Sequence, residues 1–313
     1  MNKDNNRSAR RITLLLAAAA ILLSAAAVGL ALQNHALRKK IAQIREDMPL
    51  QQTPAPSDDG ESEALSAPEP QTDAAVQRAL DGFVAAQGGT WDIFYESLET
   101  GDGASARSGH EKEPRSVSAS VIKLFVMGAV YDAVERGDLR HDDVYGSLTS
   151  MITISDNDAC NRLVRLLGGG DEKKGIAAVN AFAADLGCKD TQMNRLMLQN
   201  NGTENYVTAR DCALMLRLID QGACVSPEAS EEMLALLKAQ TVNDRLPAAL
   251  PQGVTVAHKT GNLSNLSCGD VGIVFTDKGD YILCVLSNFS QNDAETTAAI
   301  ATLSRTVYDI VTA

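Results

Sequence analysis

Three short groups of residues carry side chains whose types and spacing could do chemistry. Ser120 and Lys123 form the single S-x-x-K of the chain, at the start of an expected helix, where a spacing of three puts both side chains on one face. A serine hydroxyl is a weak nucleophile at neutral pH, and it gains from a nearby base and from the positive end of a helix dipole. Lys123 supplies that base if burial lowers its pKa. Taken alone the motif is weak, because a serine at a helix start is more often a cap for the free N–H groups there. Ser155-Asp156-Asn157 also occurs once, opening an expected helix, and by itself reads as an N-cap. Lys259-Thr260-Gly261 follows an expected strand over Val254 to His258, where Gly261 alone would be an ordinary strand exit.

In this order, separated by 35 and 104 residues, the three groups resemble the signature elements of class A β-lactamases and penicillin-binding proteins. The resemblance covers residues 73–313. It implies an α/β sandwich (α+β), with a five-stranded antiparallel sheet packed with a helical subdomain and the site between them. Ser120 is implied as the acylated nucleophile and Lys123 as its proton acceptor. Ser155 would relay a proton to the leaving nitrogen, and Asn157 would hold the substrate's acylamido group. Lys259 would orient the relay serine and keep the site positive. Thr260, Gly261 and Asn262 would line the substrate, Thr260 bonding its carboxylate and the backbone N–H groups of Ser120 and Asn262 forming an oxyanion hole. Arg245 is an auxiliary candidate for that carboxylate, with a surface or structural ion pair as its plainer role.

The implied substrate is a β-lactam or a D-Ala-D-Ala cell-wall peptide, and no metal or cofactor is implied. One departure stands out. Class A enzymes clear the acyl-enzyme with a glutamate two residues beyond an arginine; here Arg195 is followed by Met197 where that glutamate belongs. Glu204 is the one carboxylate of the short loop reaching to Asn205, and its plain role is to pair with Arg195. Gln199, Asn200 and Asn201 could hold a water but cannot take its proton. The departure bears on deacylation, not on acylation, and leaves a peptidase, a slow lactamase or a non-turnover penicillin-binding sensor as alternatives.

The elements that must position these residues are legible in the periodicities. Thr72 to Gly88 has helical spacing, and Trp91, Ile93 and Tyr95 alternate in a strand that meets a turn at Thr100-Gly101-Asp102-Gly103. Helices are expected over about 119–136, 156–167, 173–187, 208–221 and 227–239, and strands over 253–259, 269–276 and 281–288. A helix over 293–311 ends the chain. Strands, then helices, then strands imply one antiparallel sheet assembled from both chain ends.

The 313 residues are 45% hydrophobic and carry a net charge of -12, which suits a full globular core and argues against a nucleic-acid partner. That average hides unlike parts. Residues 1–11 are basic and read as a cytoplasmic N-terminus, and Ile12 to Leu32 is an uncharged run of about the ~20 residues a helix needs to cross a bilayer. Leu37, Ile41, Ile44 and Met48 form the seam of a juxtamembrane helix over 33–48, too short to specify a dimer. Residues 49–72, Pro-rich and acidic, read as an extended linker, and 73–313 as the hydrolase-like domain. The expected location is therefore the cell membrane, single-pass, with the membrane as a partner of the N-terminal helix and the catalytic domain extracytoplasmic. The six cysteines contain no C-x-x-C pair and read neither as a zinc site nor as a dense disulfide framework; 15 pairings remain open.

Overall fold

The computed structural model describes residues 71–110, 113–200, 202–289 and 292–313. The expected N-terminus, membrane span, juxtamembrane helix and all but the end of the linker lie outside them. Among the described residues no helix is long and apolar enough to cross a membrane. The linker's last two residues, Gln71 and Thr72, already belong to the first helix.

That helix, α1 (Gln71–Ala86), buries Val76 and Leu80, one turn apart, against the sheet. Next come β1 (Thr90–Ser97), β2 (Gly103–Ser108) and the two-residue β3 (Ser116–Val117), then a 3₁₀ turn (Ala119–Ile122) that runs into α2 (Lys123–Glu135). The helical layer continues with α3 (His141–Thr153), α4 (Asn157–Leu167) and α5 (Glu172–Leu186). After β4 (Tyr206–Val207) follow α6 (Ala209–Asp220) and α7 (Pro227–Lys238). The chain closes with β5 (Thr255–Leu263), β6 (Ser267–Phe275), β7 (Tyr281–Asn288) and α8 (Asp293–Val311).

The large sheet is five-stranded, all antiparallel, in the order β2-β1-β7-β6-β5, so both chain ends contribute strands as expected. One face carries Trp91, Ile93, Tyr95, Leu283 and Val285 against α1 and α8. Alternation would put Asp92 and Glu96 in water on the other face, yet both are fully buried there by α6. Asp92 accepts the Ala209 N–H at the start of α6, 2.9 Å away, and Glu96 pairs with Arg217. The edge strand β2 is guarded by Gln77, whose amide exchanges two hydrogen bonds with the Ser105 backbone, 2.9 and 3.0 Å.

Three expectations need correction. Helix α3 falls where no helix was expected. Its sequence carries Gly146, three threonine or serine positions in its last five residues and no side-chain cap, so its formation rests on burying Val144, Leu148, Met151 and Ile152. The expected helix at 119 begins as a tight 3₁₀ turn. The expected strand ending at His258 continues to Leu263, because β6 pairs with it along its whole length.

Candidate active site

The site forms where the edge strand β5 meets the turn that opens α2. Ser118 N–H donates to Asn205 O, 2.8 Å, and Val117 is held by Asn288 and by Ser267, whose hydroxyl donates to Val117 O at 2.6 Å. Ala119 then adopts φ of 44°, a left-handed conformation directly before Ser120. Ser120 is half-buried, and its Oγ lies 3.1 Å from Lys123 Nζ. It therefore does not act as the helix cap that its position allows.

Ser155 is likewise freed from capping. Asp156 takes that role, its Oδ1 accepting the Ala159 N–H at 2.6 Å, while Ser155 stands at φ of 59° outside α4. Its Oγ lies 2.9 Å from Lys259 Nζ and 3.2 Å from Lys123 Nζ. Asn157, the first residue of α4, presents its Oδ1 to Lys123 at 2.7 Å. Four elements thus bring Ser120, Lys123, Ser155, Asn157 and Lys259 into one hydrogen-bonded cluster.

Both lysines are fully buried. Burial lowers Lys123 to about 8, against the opposing influence of Cys160 and Asp156. Burial, then the neighbouring charge of Lys123, lowers Lys259 to about 7. Lys123 Nζ faces four oxygens, those of Ser120 Oγ, Ser155 O, Ser155 Oγ and Asn157 Oδ1. Ser155 O at 2.6 Å and Asn157 Oδ1 at 2.7 Å can only accept, so they take two N–H donors. In the protonated state the third N–H of Lys123 donates to Ser120 Oγ at 3.1 Å; loss of that proton leaves a lone pair turned toward the same hydroxyl.

Lys259, Thr260 and Gly261 lie inside β5 rather than at its exit, which corrects the plain reading of Gly261. A Cβ on Gly261 would stand 2.8 Å from Ser118 O and 2.9 Å from Val121 Cγ2, so the missing side chain lets the strand press against the turn that carries Ser120. Thr260 is buried and Asn262 exposed on the same strand. Since β5 is an edge strand, its outer backbone groups carry no sheet partner among the described residues. Arg245 is also buried, with Nη1 2.8 Å from Asp244 Oδ1 and Nε 3.4 Å from Cys268 Sγ.

The family description "Beta-lactamase enzyme family" matches residues 75–147 and 144–311. The chain belongs to this family. The beta-lactamase FAR-1 of Nocardia farcinica is 31% identical over 168 residues, 52% of this chain and 51% of that protein. The chain thus spans about half the length of that relative. The crystal structure of a beta-lactamase from Sphaerobacter thermophilus is 26% identical, with a TM-score of 0.64 over 76% of this chain and 97% of that one. A leucine-to-glutamate mutant of PBP-A, an acyl-enzyme complex with penicillin G, is 27% identical, with a TM-score of 0.66 over 75% and 96% of the two chains.

Within this beta-lactamase-family site, the loop after α5 departs from the expected pattern. Met197, 8% exposed, is fixed by Asn161 of α4: its N–H donates to Asn161 Oδ1 at 2.7 Å, and Asn161 Nδ2 donates to Met197 O at 3.1 Å. Asn161 lies one turn from Asn157, so the loop is seated along the same helix as the site. Glu204 pairs with Arg195, the plain role expected for it, and fixes the loop. Gln199 is occupied as well, bonding Leu196 N–H at 3.3 Å and Glu172 at 3.2 Å.

Sequence reasoning missed Asn161 and Asn205, the side chains that seat this loop. Asn205 accepts the N–H groups of Asn194 and Arg195 and donates to Arg195 O. It missed the place of Cys160 too, a buried thiol pushed up to about 12 by burial, which packs beside the two lysines as a neutral group. Only its spacing of three from Asn157 placed it on that face. All six cysteines are buried thiols outside any disulfide. Among the described residues no cluster of His, Cys, Asp or Glu is placed to hold a metal ion.

Proposed function

We propose that the protein is a serine hydrolase acylated at Ser120 by β-lactams, opening the lactam amide and releasing the acid slowly. The observation that carries this reading is the environment of Lys123: two obligate acceptors take two of its N–H groups, and the Ser120 hydroxyl stands at 3.1 Å, where the deprotonated amine turns its lone pair. In acylation, Ser120 Oγ bonds the lactam carbonyl carbon while its proton passes to Lys123 Nζ. Collapse breaks the C–N bond, and the leaving nitrogen takes the Ser155 proton, which Lys123 replaces across 3.2 Å. Lys259 holds the relay hydroxyl at 2.9 Å and gives the pocket a positive charge when protonated. Thr260 bonds the substrate carboxylate, and the N–H groups of Ser120 and Asn262 stabilise the oxyanion.

Slow release follows from the loop. Met197 has no group that accepts a proton, and Glu204 is held by Arg195. The same observation supports a second reading, a penicillin-binding protein that acts on D-Ala-D-Ala peptides or senses β-lactams without turnover. We further infer a membrane-anchored protein whose span over 12–32 holds this domain outside the membrane; recovery of the full chain in a carbonate-washed membrane pellet supports it, and a fully soluble chain overturns it.

The function is tested by incubating the protein with a fluorescent penicillin and a chromogenic cephalosporin. Covalent labelling with slow hydrolysis is expected, and Ser120→Ala abolishes both. Labelling without hydrolysis supports the binding-protein reading, and neither signal overturns the assignment.

A further inference from the structure

The hydroxyl of Ser155 and the amine of Lys259 meet at 2.9 Å although they come from different layers, one just past the end of α3 and the other inside β5. Residues 240–243, directly after α7, form a strap bonded to both neighbourhoods. Gln240 is buried, and its Nε2 donates to Ile152 O of α3 at 2.8 Å. Thr241 donates twice to the carbonyl of Thr153, the last residue of that helix, through its N–H at 3.0 Å and its hydroxyl at 2.9 Å. At the other end of the strap, Asn243 Oδ1 lies 3.0 Å from Nε2 of His258, the residue before Lys259. Asp270 of β6 fixes that imidazole in turn, its two oxygens 2.9 and 3.0 Å from Nδ1.

These contacts answer a need that the end of α3 creates. The last carbonyls of a helix have no partner within it. Ser150 O accepts the N–H groups of Ile154 and Asp156, at 3.3 and 3.1 Å, and the chain between them turns with Ser155 at φ of 59°. The carbonyls of Ile152 and Thr153 meet the strap instead. Gln240 suits this place because its amide both donates and accepts. While Nε2 reaches Ile152, Oε1 accepts the N–H groups of Thr241 and Val242, both at 3.0 Å, and holds the strap in a turn. One side chain thereby joins the turn that presents Ser155 to the segment bonded beside Lys259.

We propose that Gln240 is a positioning residue for proton delivery to the leaving nitrogen: its amide fixes the Ser155 turn against β5, so that the relay hydroxyl keeps its place between Lys259 and Lys123. The proposal rests on the serine-hydrolase reading above and adds a residue that acts only through Ser155. The step it serves comes after binding. The C–N bond of the lactam breaks as the nitrogen takes the Ser155 proton, and Lys123 passes to Ser155 the proton it took from Ser120. The limiting rate should therefore depend on Gln240, and the half-saturating concentration should not. A network that served the fold alone would change how much protein is active and leave the rate of each active molecule as it was.

The test follows acylation of the full chain by benzylpenicillin with intact-mass spectrometry, over a concentration series and well below the melting temperature of each variant. Gln240→Met keeps the length of the side chain and deletes its amide. Its limiting rate should fall about tenfold, and the concentration for half-maximal rate should stay within about threefold. In a Ser155→Ala background the same change should slow the residual acylation no further, because no relay hydroxyl is left to place. An unaltered limiting rate with a smaller labelled fraction, a rise in the half-saturating concentration alone, or additive slowing in the Ser155→Ala background would overturn the proposal. Should Gln240→Met not fold, Thr241→Val removes only the hydroxyl bond to Thr153 O and should slow the limiting rate about threefold; an unaltered rate there would equally overturn it. Failure of the unaltered protein to be acylated at all would instead overturn the serine-hydrolase reading itself.

Discussion

Gly261→Ala tests whether the contact between β5 and the turn that carries Ser120 sets the geometry of the proposed site. The added methyl would meet Ser118 O at 2.8 Å and Val121 Cγ2 at 2.9 Å, whereas ordinary contact begins at 3.4 Å. The strand and the turn must then part by about 0.6 Å, because the nearest atom is a backbone oxygen that accepts the Val121 N–H, on a residue whose own N–H is held by Asn205 O. That opening falls on the 2.9 Å link between Lys259 and Ser155 and on the hydroxyl of Ser120, two residues beyond the obstructing carbonyl. Displacements near 1 Å cost on the order of 10²-fold in rate. We expect acylation by a fluorescent penicillin to slow by roughly 10- to 100-fold. Overpacking of this kind costs about 1–3 kcal/mol, which for a domain of this size lowers Tm by about 2–12 °C. An Ala variant that folds and acylates at the unaltered rate would refute the idea that this glycine sets the site.

The pH dependence carries a definite sign. Lys123 accepts a proton only when neutral, so acylation should rise as pH passes through about 8 and not near 10.5; a flat stopped-flow profile from pH 6 to 9 contradicts this. Both lysines bind their protons less tightly in the fold than in the unfolded chain, so the unfolded chain holds more protons from about pH 7 upward. Urea-melt stability should therefore rise between pH 7 and 9, and the rise should weaken in Lys259→Met. Arg195→Ala leaves Glu204 without its partner and should cost about 1–3 kcal/mol in denaturant melts. Met197→Glu places a carboxylate on the segment seated by Asn161 and should speed loss of the acyl label; unchanged deacylation would show that the loop does not reach the ester.

The three motifs were legible because each needs particular side chains, and their order is far more specific than any one of them. The sheet was legible as well, from the alternation at Trp91, Ile93 and Tyr95 and from the strands near the C-terminus. Other features depend on partners far away in sequence. Helix α3 exists through packing and not propensity, so its residues gave no local signal. The strand at Lys259 extends to Leu263 because β6 pairs with it, which a glycine in the sequence obscured. Asn161, Asn205 and the His258–Asp270 pair act through contacts that span 10 to 36 residues, beyond the reach of periodicity. Ser155 and Ser120 looked like helix caps, and only their neighbours show otherwise: Asp156 takes one capping role, and Lys123 engages the other hydroxyl.

In the proposed mechanism Ser120 is a nucleophile whose hydroxyl is deprotonated by Lys123. Peptide mapping after exposure to benzylpenicillin tests it most directly. The added mass of one intact penicillin is expected on the peptide that contains Ser120, absent from Ser120→Ala and formed far more slowly in Lys123→Ala. No adduct, or an adduct that survives Ser120→Ala, would contradict it.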